Sequence, residues 1–208
     1  MTKKDVEGIK EGNGRMREDQ IEYWVNPTPE NLPHTYLEDN GRSDMLVDIV
    51  KNKIALETDR TILELGCNVG RNLSSLEIGG YTNLTGIDVN KKALDMVKAN
   101  ACLMHGPIEK ILPRILQPYG LIFTMAVLQH IPPENDEVFA HIARLGKYNL
   151  LTIEDESYSS SRHFPRNYKV VFEKLGLRQI RGWKKLVDLN KTFVMRWFKE
   201  RKKYERLL

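Results

Sequence analysis

The chain has 208 residues, of which 41% are hydrophobic and 29% charged, and its mean hydropathy is −0.46. These values are typical of one soluble globular domain that buries its own core. The formal net charge of +4 is too small to indicate a nucleic-acid-binding or membrane-binding protein by itself. No apolar run reaches the roughly 20 residues of a membrane-spanning helix, and the first residues lack the apolar region of a secretory signal. We therefore predict a cytoplasmic protein without a membrane span.

Charge is distributed unevenly along the chain. Residues 181–208 contain ten basic and three acidic residues, a local charge of +7. Since the whole chain carries +4, residues 1–180 carry −3. A basic segment of this kind indicates either a solvated tail or a surface for an anionic partner. The two cysteines, Cys67 and Cys102, are too few for a disulfide framework or a zinc site, and we predict no metal site.

Helical and strand patterns follow one another along the chain. Residues 17–25 predict a short helix, residues 26–36 a Pro-rich loop or lid, and the apolar spacing from Met45 to Ile54 a helix capped by Ser43. Short apolar runs predict five strands, at residues 61–66, 83–89, 101–105, 121–127 and 148–154. The intervening segments predict helices, at residues 70–78, 91–100, 108–116 and 133–146. This alternation favours a parallel sheet covered by helices on both faces.

The end of the chain has a different pattern. A predicted helix at residues 167–176 precedes two strand-like runs, 177–183 and 192–198, with no helix between them. An antiparallel hairpin that closes the sheet accounts for these runs, although residues 193–204 also fit a basic amphipathic helix. We divide the chain into an N-terminal arm and lid with the first helix at residues 1–56, a main domain at 57–200 and a basic tail at 201–208.

The sharpest motif runs from Glu64 to Gly70, Glu-Leu-Gly-Cys-Asn-Val-Gly, at a predicted strand-to-helix junction. Glycines in such a turn let the backbone fold tightly and approach a ligand, while the first amides of the helix face that ligand. A dinucleotide fingerprint beginning at Gly66 requires glycines where this chain has Asn68 and Arg71, so NAD is disfavoured. A phosphate-binding P-loop is excluded because no Gly-Lys-Ser/Thr follows.

A second carboxylate, Asp88, ends the next predicted strand, 24 positions after Glu64. A carboxylate at this place can accept hydrogen bonds from both hydroxyls of a nucleotide ribose. The alternative is that Asp88 only caps the helix that begins near Asn90. The acidic residue and the glycines of the preceding loop favour the ribose-binding interpretation.

Glu64, the two glycines and Asp88 together resemble motif I and the following acidic position of the class I S-adenosylmethionine (SAM) methyltransferases. The family pattern is Glu/Asp-x-Gly-x-Gly-x-Gly, and Asn68 replaces its middle glycine; Asn is the non-glycine residue that best tolerates a positive φ. The resemblance implies an α/β, Rossmann-like sheet of seven mostly parallel strands with the C-terminal antiparallel hairpin. It also implies SAM as the methyl donor, with S-adenosylhomocysteine (SAH) as the product. The cofactor-binding residues that it implies are Glu64, Gly66, Cys67, Asn68, Gly70, Asp88, Val89, Ile108, Glu109 and Met125.

Two further segments are similar to a narrower group, the methylases encoded with surface-sugar and pseudaminic acid biosynthesis. The run from Val127 to Pro132 resembles the Val-Leu-x-His-Ile-x-Pro segment of that group. The run from Arg162 to Tyr168 resembles its Arg-x-Phe-x-Arg-Asp/Asn-aromatic segment. This likeness implies a small or sugar-like acceptor.

His130 is the predicted general base. It follows the fourth predicted strand, at the sheet edge where open α/β sheets bind ligands, and an ordinary histidine pKa suits the removal of a proton from a hydroxyl or amine nucleophile. The alternative is a capping or packing role in the loop. Glu154, the first of three consecutive acids after the fifth strand, is predicted to be catalytic by orienting His130 or binding a substrate hydroxyl. His163 is an alternative base.

Four residues are predicted to contact the acceptor. Arg162 and Arg166 flank a polar loop and can pair with a phosphate or carboxylate, while surface ion pairing is the alternative. Tyr23 and Trp24 are predicted to fold over the site as part of a lid, and a helix face packed on the core is the alternative.

The leading hypothesis is a SAM-dependent methyltransferase that acts on oxygen of a small or sugar-like acceptor, without a nucleic-acid partner. An RNA or protein methyltransferase is the first alternative, because aromatic residues are interleaved with Lys and Arg in the basic segment. These aromatic residues are Trp183, Trp197, Phe198 and Tyr204. A noncatalytic SAM-binding protein is the second alternative, and the sequence leaves the oligomeric state open.

Overall fold

The computed structural model describes residues 18–38 and 41–202. In this part of the chain, seven strands form one sheet in the order β3-β2-β1-β4-β5-β7-β6. The strands are β1 (Ile62–Leu65), β2 (Leu84–Asp88), β3 (Ala101–His105), β4 (Leu121–Met125), β5 (Leu150–Asp155), β6 (Leu177–Trp183) and β7 (Phe193–Glu200). Strands β1 to β5 are parallel, while β7 runs antiparallel to both β5 and β6. The predicted Rossmann-like fold is confirmed.

Helices cover both faces of this sheet. They are α1 (18–25), α2 (Arg42–Asp48), α3 (Arg71–Ile78), α4 (Lys91–Leu94), α5 (Ile108–Ile111), α6 (Val138–Leu145) and α7 (Tyr168–Lys174). The predicted Pro-rich lid is ordered as two 3₁₀ turns, Pro29–Asn31 and Pro33–Tyr36. Within the described ranges, none of the helices has the length and apolar character that a membrane crossing requires. The predicted basic tail lies outside the described residues from 203 onward, as does the arm before residue 18.

Alternating side chains of the strands form two apolar cores, one on each face of the sheet. On one face, Ile62, Phe123 and Leu151 join a cluster with α2 and α3. On the other face, Leu63 and Ile122 join a cluster with α5, α6 and α7. All five side chains are fully buried. Because both faces of the central strands are covered, their sequences are mostly apolar.

The order of the strands determines where a ligand can bind. Strand β1 lies between β2 and β4, so the chain crosses to one side of β1 first and to the other side later. The loops that follow β1 and β4 therefore diverge and leave a crevice at the carboxyl ends of the strands. Open α/β sheets bind their ligands at such a point.

The C-terminal hairpin is confirmed, and the alternative amphipathic helix is wrong. Strand β7 inserts between β5 and β6, so its side chains become part of the core. Phe198 is fully buried, and Trp183 and Trp197 pack against the core. The indole N–H of Trp197 donates to Asn149 Oδ1 at 3.0 Å. These aromatic rings support the fold instead of forming a platform for nucleic-acid bases, and Tyr204 lies outside the described residues.

The predicted cap of α2 is wrong. Gly41, with φ +80°, precedes the helix and provides its cap position. Ser43 lies inside the helix, where its buried hydroxyl donates to Asn72 Oδ1 at 2.8 Å. The sequence suggests a cap because serine is common there, but a tertiary hydrogen bond between α2 and α3 determines its position.

Helix α4 is shorter than the predicted helix at residues 91–100. After Leu94 the backbone forms bonds between residues three apart, from Met96 N–H to Ala93 O and from Val97 N–H to Leu94 O. This tighter turn ends the α-helix. It also places the Val97 side chain against Gly70, at the start of α3.

Gly86 of β2 allows the loop after β1 to lie close to the sheet. A Cβ at this position would be 2.6 Å from Cys67 Sγ and 2.9 Å from Leu73 Cδ1. We expect Gly86→Ala to lower the free energy of unfolding by about 1–3 kcal/mol through overpacking, as measured by urea denaturation. Gly182→Ala is the matched control, because Gly182 is exposed on the edge strand β6 and faces the flexible Gln179 side chain. An equal loss in both variants would contradict this account.

Candidate active site

A cavity of about 430 Å³ lies at the carboxyl ends of β1, β2 and β4, and α1 closes one side of it. The predicted cofactor-binding residues that line it are Glu64, Gly66, Cys67, Asn68, Asp88, Val89, Ile108 and Met125. The predicted acceptor-side residues that line it are Tyr23, Trp24, His130, Arg162 and His163. The remaining predicted site residues, Gly70, Glu109, Glu154 and Arg166, are not among its lining residues. The tertiary structure thus brings most of the predicted residues around one cavity.

The loop between β1 and α3 forms one wall of the cavity. Gly66 has φ +70°, and a Cβ there would lie 2.4 Å from Val127 Cγ2 in the loop after β4. Asn68 has φ +48°. It thus adopts the left-handed conformation expected of a residue that replaces the middle glycine of the family pattern. Gly70 has φ +71° and adjoins Val97, where a Cβ would be 2.6 Å from Cγ1. Gly70 therefore shapes the loop from outside the cavity.

Asp88 connects this loop to the end of β2. Its Oδ2 accepts a hydrogen bond from Asn68 N–H and its Oδ1 from Asn90 N–H, both at 2.8 Å. The cap of α4 is Asn90, whose side chain accepts from Ala93 N–H. Burial raises the pKa of Asp88, although these backbone hydrogen bonds oppose the shift. Each carboxylate oxygen can accept a further hydrogen bond, so the group is available to ligand hydroxyls.

Glu64 is a buried carboxylate in the cavity wall, with 2% of its surface exposed. The side-chain amide of Asn72 donates to Oε1 at 2.7 Å. Oε2 is buried and has no hydrogen-bond partner. Burial raises the pKa of Glu64 to about 8. A buried acceptor without a donor is costly, and a ligand that brings a donor or a positive charge removes this cost.

Glu154, predicted to be catalytic, is fully buried and lies outside the cavity lining. Its carboxylate accepts from the Thr124 hydroxyl at 2.6 Å and from the backbone N–H groups of Val127 and Gln129 at 3.0 and 3.3 Å. Burial raises the pKa of Glu154 to about 7, and these hydrogen bonds oppose the shift. Of the two predicted roles, these contacts favour the positioning one, because Glu154 holds the backbone of the turn that carries His130.

His130 lines the cavity with 8% of its surface exposed. Its Nδ1 lies 2.8 Å from the carbonyl oxygen of Arg162, so Nδ1 carries the proton in the neutral ring. Nε2 then holds the lone pair, 3.4 Å from the side-chain nitrogen of Gln129. The side-chain oxygen of Gln129 accepts from Asp155 N–H at 2.8 Å. This network fixes both the tautomer and the orientation of His130.

Helix α1 brings the predicted lid residues to the same side. The ring of Trp24 packs edge-on against His130, with centroids 4.8 Å apart, and Tyr23 packs against Trp24 at 5.1 Å. The carbonyl of Trp24 accepts from the Asn90 side chain at 2.9 Å. The Arg162 guanidinium lies over the Tyr23 ring, 4.1 Å from its centroid. The helix therefore joins the end of β2 to the loop after β5.

Two further predicted site residues lie outside the cavity lining. Arg166 donates to Asp136 Oδ1 at 2.6 Å and covers the Phe139 ring of α6, contacts that agree with the ion-pairing alternative. Glu109, predicted to bind the cofactor, follows Ile108, which does line the cavity. A helix turns by about 100° per residue, which directs adjacent side chains of α5 differently.

Comparisons with known proteins bear on this site. Residues 62–149 match the family model described as a methyltransferase domain. The magnesium protoporphyrin IX methyltransferase of Synechocystis, crystallised with SAM, is 14% identical and has a TM-score of 0.63, covering 88% of this chain and 90% of its own. A SAM-dependent methyltransferase from Clostridium acetobutylicum is 12% identical with a TM-score of 0.63, covering 83% of this chain and 96% of its own. No curated protein matches the chain by sequence.

Residues 62–149 carry a methyltransferase domain, and the chain shares the fold of SAM-dependent methyltransferases. The cyclase SpnF also has this fold, with 12% identity and a TM-score of 0.61, covering 76% of this chain and 81% of its own. The fold alone therefore does not define the reaction.

The cavity of the methyltransferase domain fits SAM. The unpartnered Glu64 Oε2 can accept from a cationic methionine end, and Asp88 can accept from ribose hydroxyls. The apolar side chains of Val89 and Ile108 can line an adenine site. When bound, SAM supplies an electrophilic methyl group on a sulfonium. The residues present therefore provide a complementary group for each part of the cofactor.

Several residues that line the cavity belong to no sequence motif. Tyr36 donates to Asn31 Oδ1, and Asn31 donates to the Tyr23 hydroxyl, both at 2.8 Å. These residues come from the Pro-rich segment, whose composition indicates only an ordered loop or lid. Arg71 and Gln129 also line the cavity. Each is next in sequence to a predicted site residue, and only this adjacency indicates from the sequence that they belong to the site.

Glu64 makes the stability of the domain depend on pH. Its pKa is about 8 in the folded chain and 4.5 when fully solvated. Between these values the folded state binds a proton that the unfolded state lacks, so this group lowers stability as pH rises. We expect Glu64→Gln to gain stability relative to the native chain from about pH 5 to 8, by at most about 1.4 kcal/mol per pH unit.

Urea denaturation across this pH range measures the effect. Glu57→Gln is the control, because Glu57 is exposed and contacts only Arg60. A stability difference for Glu64→Gln that stays constant with pH would contradict the buried, protonated state of Glu64.

Proposed function

We propose that the chain is a methyltransferase that transfers the methyl group of SAM to an oxygen atom of a small or sugar-like acceptor. The observation that carries this proposal is the position of His130, which lines the same cavity as the Glu64–Gly70 loop and Asp88. The cavity thus combines residues suited to SAM with a histidine of fixed tautomer. Methyl transfer mainly requires that donor and nucleophile are aligned and water is excluded, which the closure by α1 supports.

Transfer to oxygen requires that a hydroxyl loses its proton. The Nε2 lone pair of His130 is the base that this arrangement supports, because the Arg162 carbonyl holds the proton on Nδ1. Glu154 acts indirectly, by holding the turn that carries His130. The half-buried Trp24 ring packs on the imidazole and limits its rotation.

A small or sugar-like acceptor is supported by the size of the site. The cavity, of about 430 Å³, is at the small end of the range for ligand sites, and SAM fills part of it. The likeness of the segments from Val127 to Pro132 and from Arg162 to Tyr168 to sugar-associated methylases favours a sugar-like molecule. A terminal group of a larger acceptor also fits such a cavity.

SAH binding tests the cofactor half of this proposal. We expect Asp88→Ala to weaken SAH binding by about tenfold to a hundredfold, because it removes a charged acceptor for the ribose and frees the Asn68 and Asn90 N–H groups. Isothermal titration calorimetry measures the change. Asp95→Ala, at the exposed residue that directly follows α4, is the matched control. Absence of SAH binding by the native chain, or equal binding by Asp88→Ala, would exclude the proposed cofactor site.

Transfer of radiolabelled methyl groups from SAM to a panel of hydroxylated sugars and sugar derivatives tests the catalytic half. We expect His130→Gln to lower the rate about 10²–10⁴-fold and to leave SAH binding within a few fold. His34→Gln, at an exposed histidine of the second 3₁₀ turn, is the control. Equal rates in His130→Gln and the native chain would rule out His130 as the base. Cofactor binding without transfer to any panel member would favour the noncatalytic alternative.

A further inference from the structure

The acceptor side of the cavity contains a positive charge that the fold does not neutralise. Arg162 lines the cavity, and its guanidinium lies over the Tyr23 ring. Within residues 18–38 and 41–202, no carboxylate forms an ion pair with Arg162, whereas Arg42, which also lines the cavity, pairs with Asp188 at 2.8 Å. A guanidinium has five N–H donors. The face of the tyrosine ring offers them no carboxylate or carbonyl oxygen, so these donors are available to a ligand.

The backbone of Arg162 is fixed beside the predicted base. Its carbonyl is the group that accepts from His130 Nδ1 at 2.8 Å. The carbonyl of the preceding residue, Ser161, accepts from the Gln20 side chain of α1 at 3.2 Å. Arg162 therefore binds the predicted base through its backbone carbonyl, while its side chain lines the cavity. The Arg162 side chain and the His130 imidazole therefore line the same cavity.

The polar groups of the cavity differ between its two sides. Near the Glu64–Gly70 loop, the cavity is lined by the Glu64 and Asp88 carboxylates and by the Arg71 guanidinium, and Glu64 Oε2 has no hydrogen-bond partner. On the α1 side, the lining includes donors, namely the exposed Arg162 guanidinium and the Trp24 indole N–H, which is buried without a partner. A buried donor without a partner favours a ligand that supplies acceptor atoms. The α1 side of the cavity thus favours a ligand with acceptor atoms.

We propose that the methyl acceptor carries an oxyanion, a phosphate or a carboxylate, which Arg162 binds on the α1 side of the cavity while His130 faces the hydroxyl. This inference rests on the proposed function, because it assigns the acceptor to the part of the cavity away from the SAM loop. Guanidinium binds both oxyanions through paired hydrogen bonds. The oxyanion orients the acceptor, and the neighbouring hydroxyl is the group that receives the methyl.

Nuclear magnetic resonance of the SAH-saturated chain tests this subsite without knowledge of the acceptor. Inorganic phosphate and acetate are titrated separately at constant ionic strength, and the indole N–H signal of Trp24, assigned with Trp24→Phe, reports on the cavity. We expect a saturable shift with millimolar affinity for at least one of these anions. Arg162→Gln should weaken that binding at least tenfold, and Arg162→Lys should give an intermediate loss because lysine lacks the paired donors. Arg181→Gln, on the edge strand β6, has the same change in charge and should match the native chain.

Each outcome has a defined meaning. A shift with phosphate alone assigns a phosphorylated acceptor, and one with acetate alone assigns a carboxylate. Absence of a saturable shift with either anion, or a shift that persists in Arg162→Gln, overturns the subsite. Calorimetry with SAH on the same variants separates the proposed function from the oxyanion subsite. If SAH binds as before but neither anion binds, only the oxyanion subsite is excluded. If SAH does not bind, the proposed function fails, and the anion titration of the chain alone still decides whether the subsite exists.

Discussion

Buried carboxylates at the carboxyl ends of parallel strands organise the loops of this protein. Glu64, Asp88 and Glu154 lie at or next to the ends of β1, β2 and β5, and a buried carboxylate is stable only where donors surround it. The donors come from different elements, namely the Asn72 amide of α3, the backbone of the Glu64–Gly70 loop and the turn after β4. The hydrogen bonds that stabilise the carboxylates therefore also fix the loops that line the cavity. Folding and site assembly depend on the same contacts.

The three carboxylates differ in how completely the protein satisfies them. Both oxygens of Glu154 accept hydrogen bonds from the loop after β4, and the group has a structural role. Glu64 keeps one oxygen without a donor, which lowers the stability of the fold and favours ligands with positive charge. A site of this kind trades stability for binding. The difference follows from the neighbouring elements, because the backbone of a turn encloses Glu154 whereas the cavity adjoins Glu64.

The uneven charge of the chain is explained by the topology. In the described residues, the basic C-terminal segment forms the end of β6 and the whole of β7. Its aromatic rings pack inward, Arg196 pairs with Glu156, and most of its other Lys and Arg side chains are exposed. Strand β7 must supply apolar side chains because β5 and β6 flank it on both sides. The alternation of aromatic and basic residues, which suggests a nucleic-acid surface, is the ordinary pattern of a strand with a buried and an exposed face.

The sequence by itself determined the order of strands and helices, the hairpin, the glycine loop and Asp88, because these depend on local periodicity and on backbone conformations that few residues tolerate, as at Asn68. Only the tertiary structure decided the roles of Ser43, Glu154 and Arg166, which hydrogen-bond to residues 25 to 30 positions away in the chain. It also brought Tyr23 of α1 to Arg162, across the whole domain. A polar side chain has several possible partners in sequence, and packing selects among them. The residue types of the site were therefore partly predictable from the sequence, while their geometry depended on contacts between distant elements.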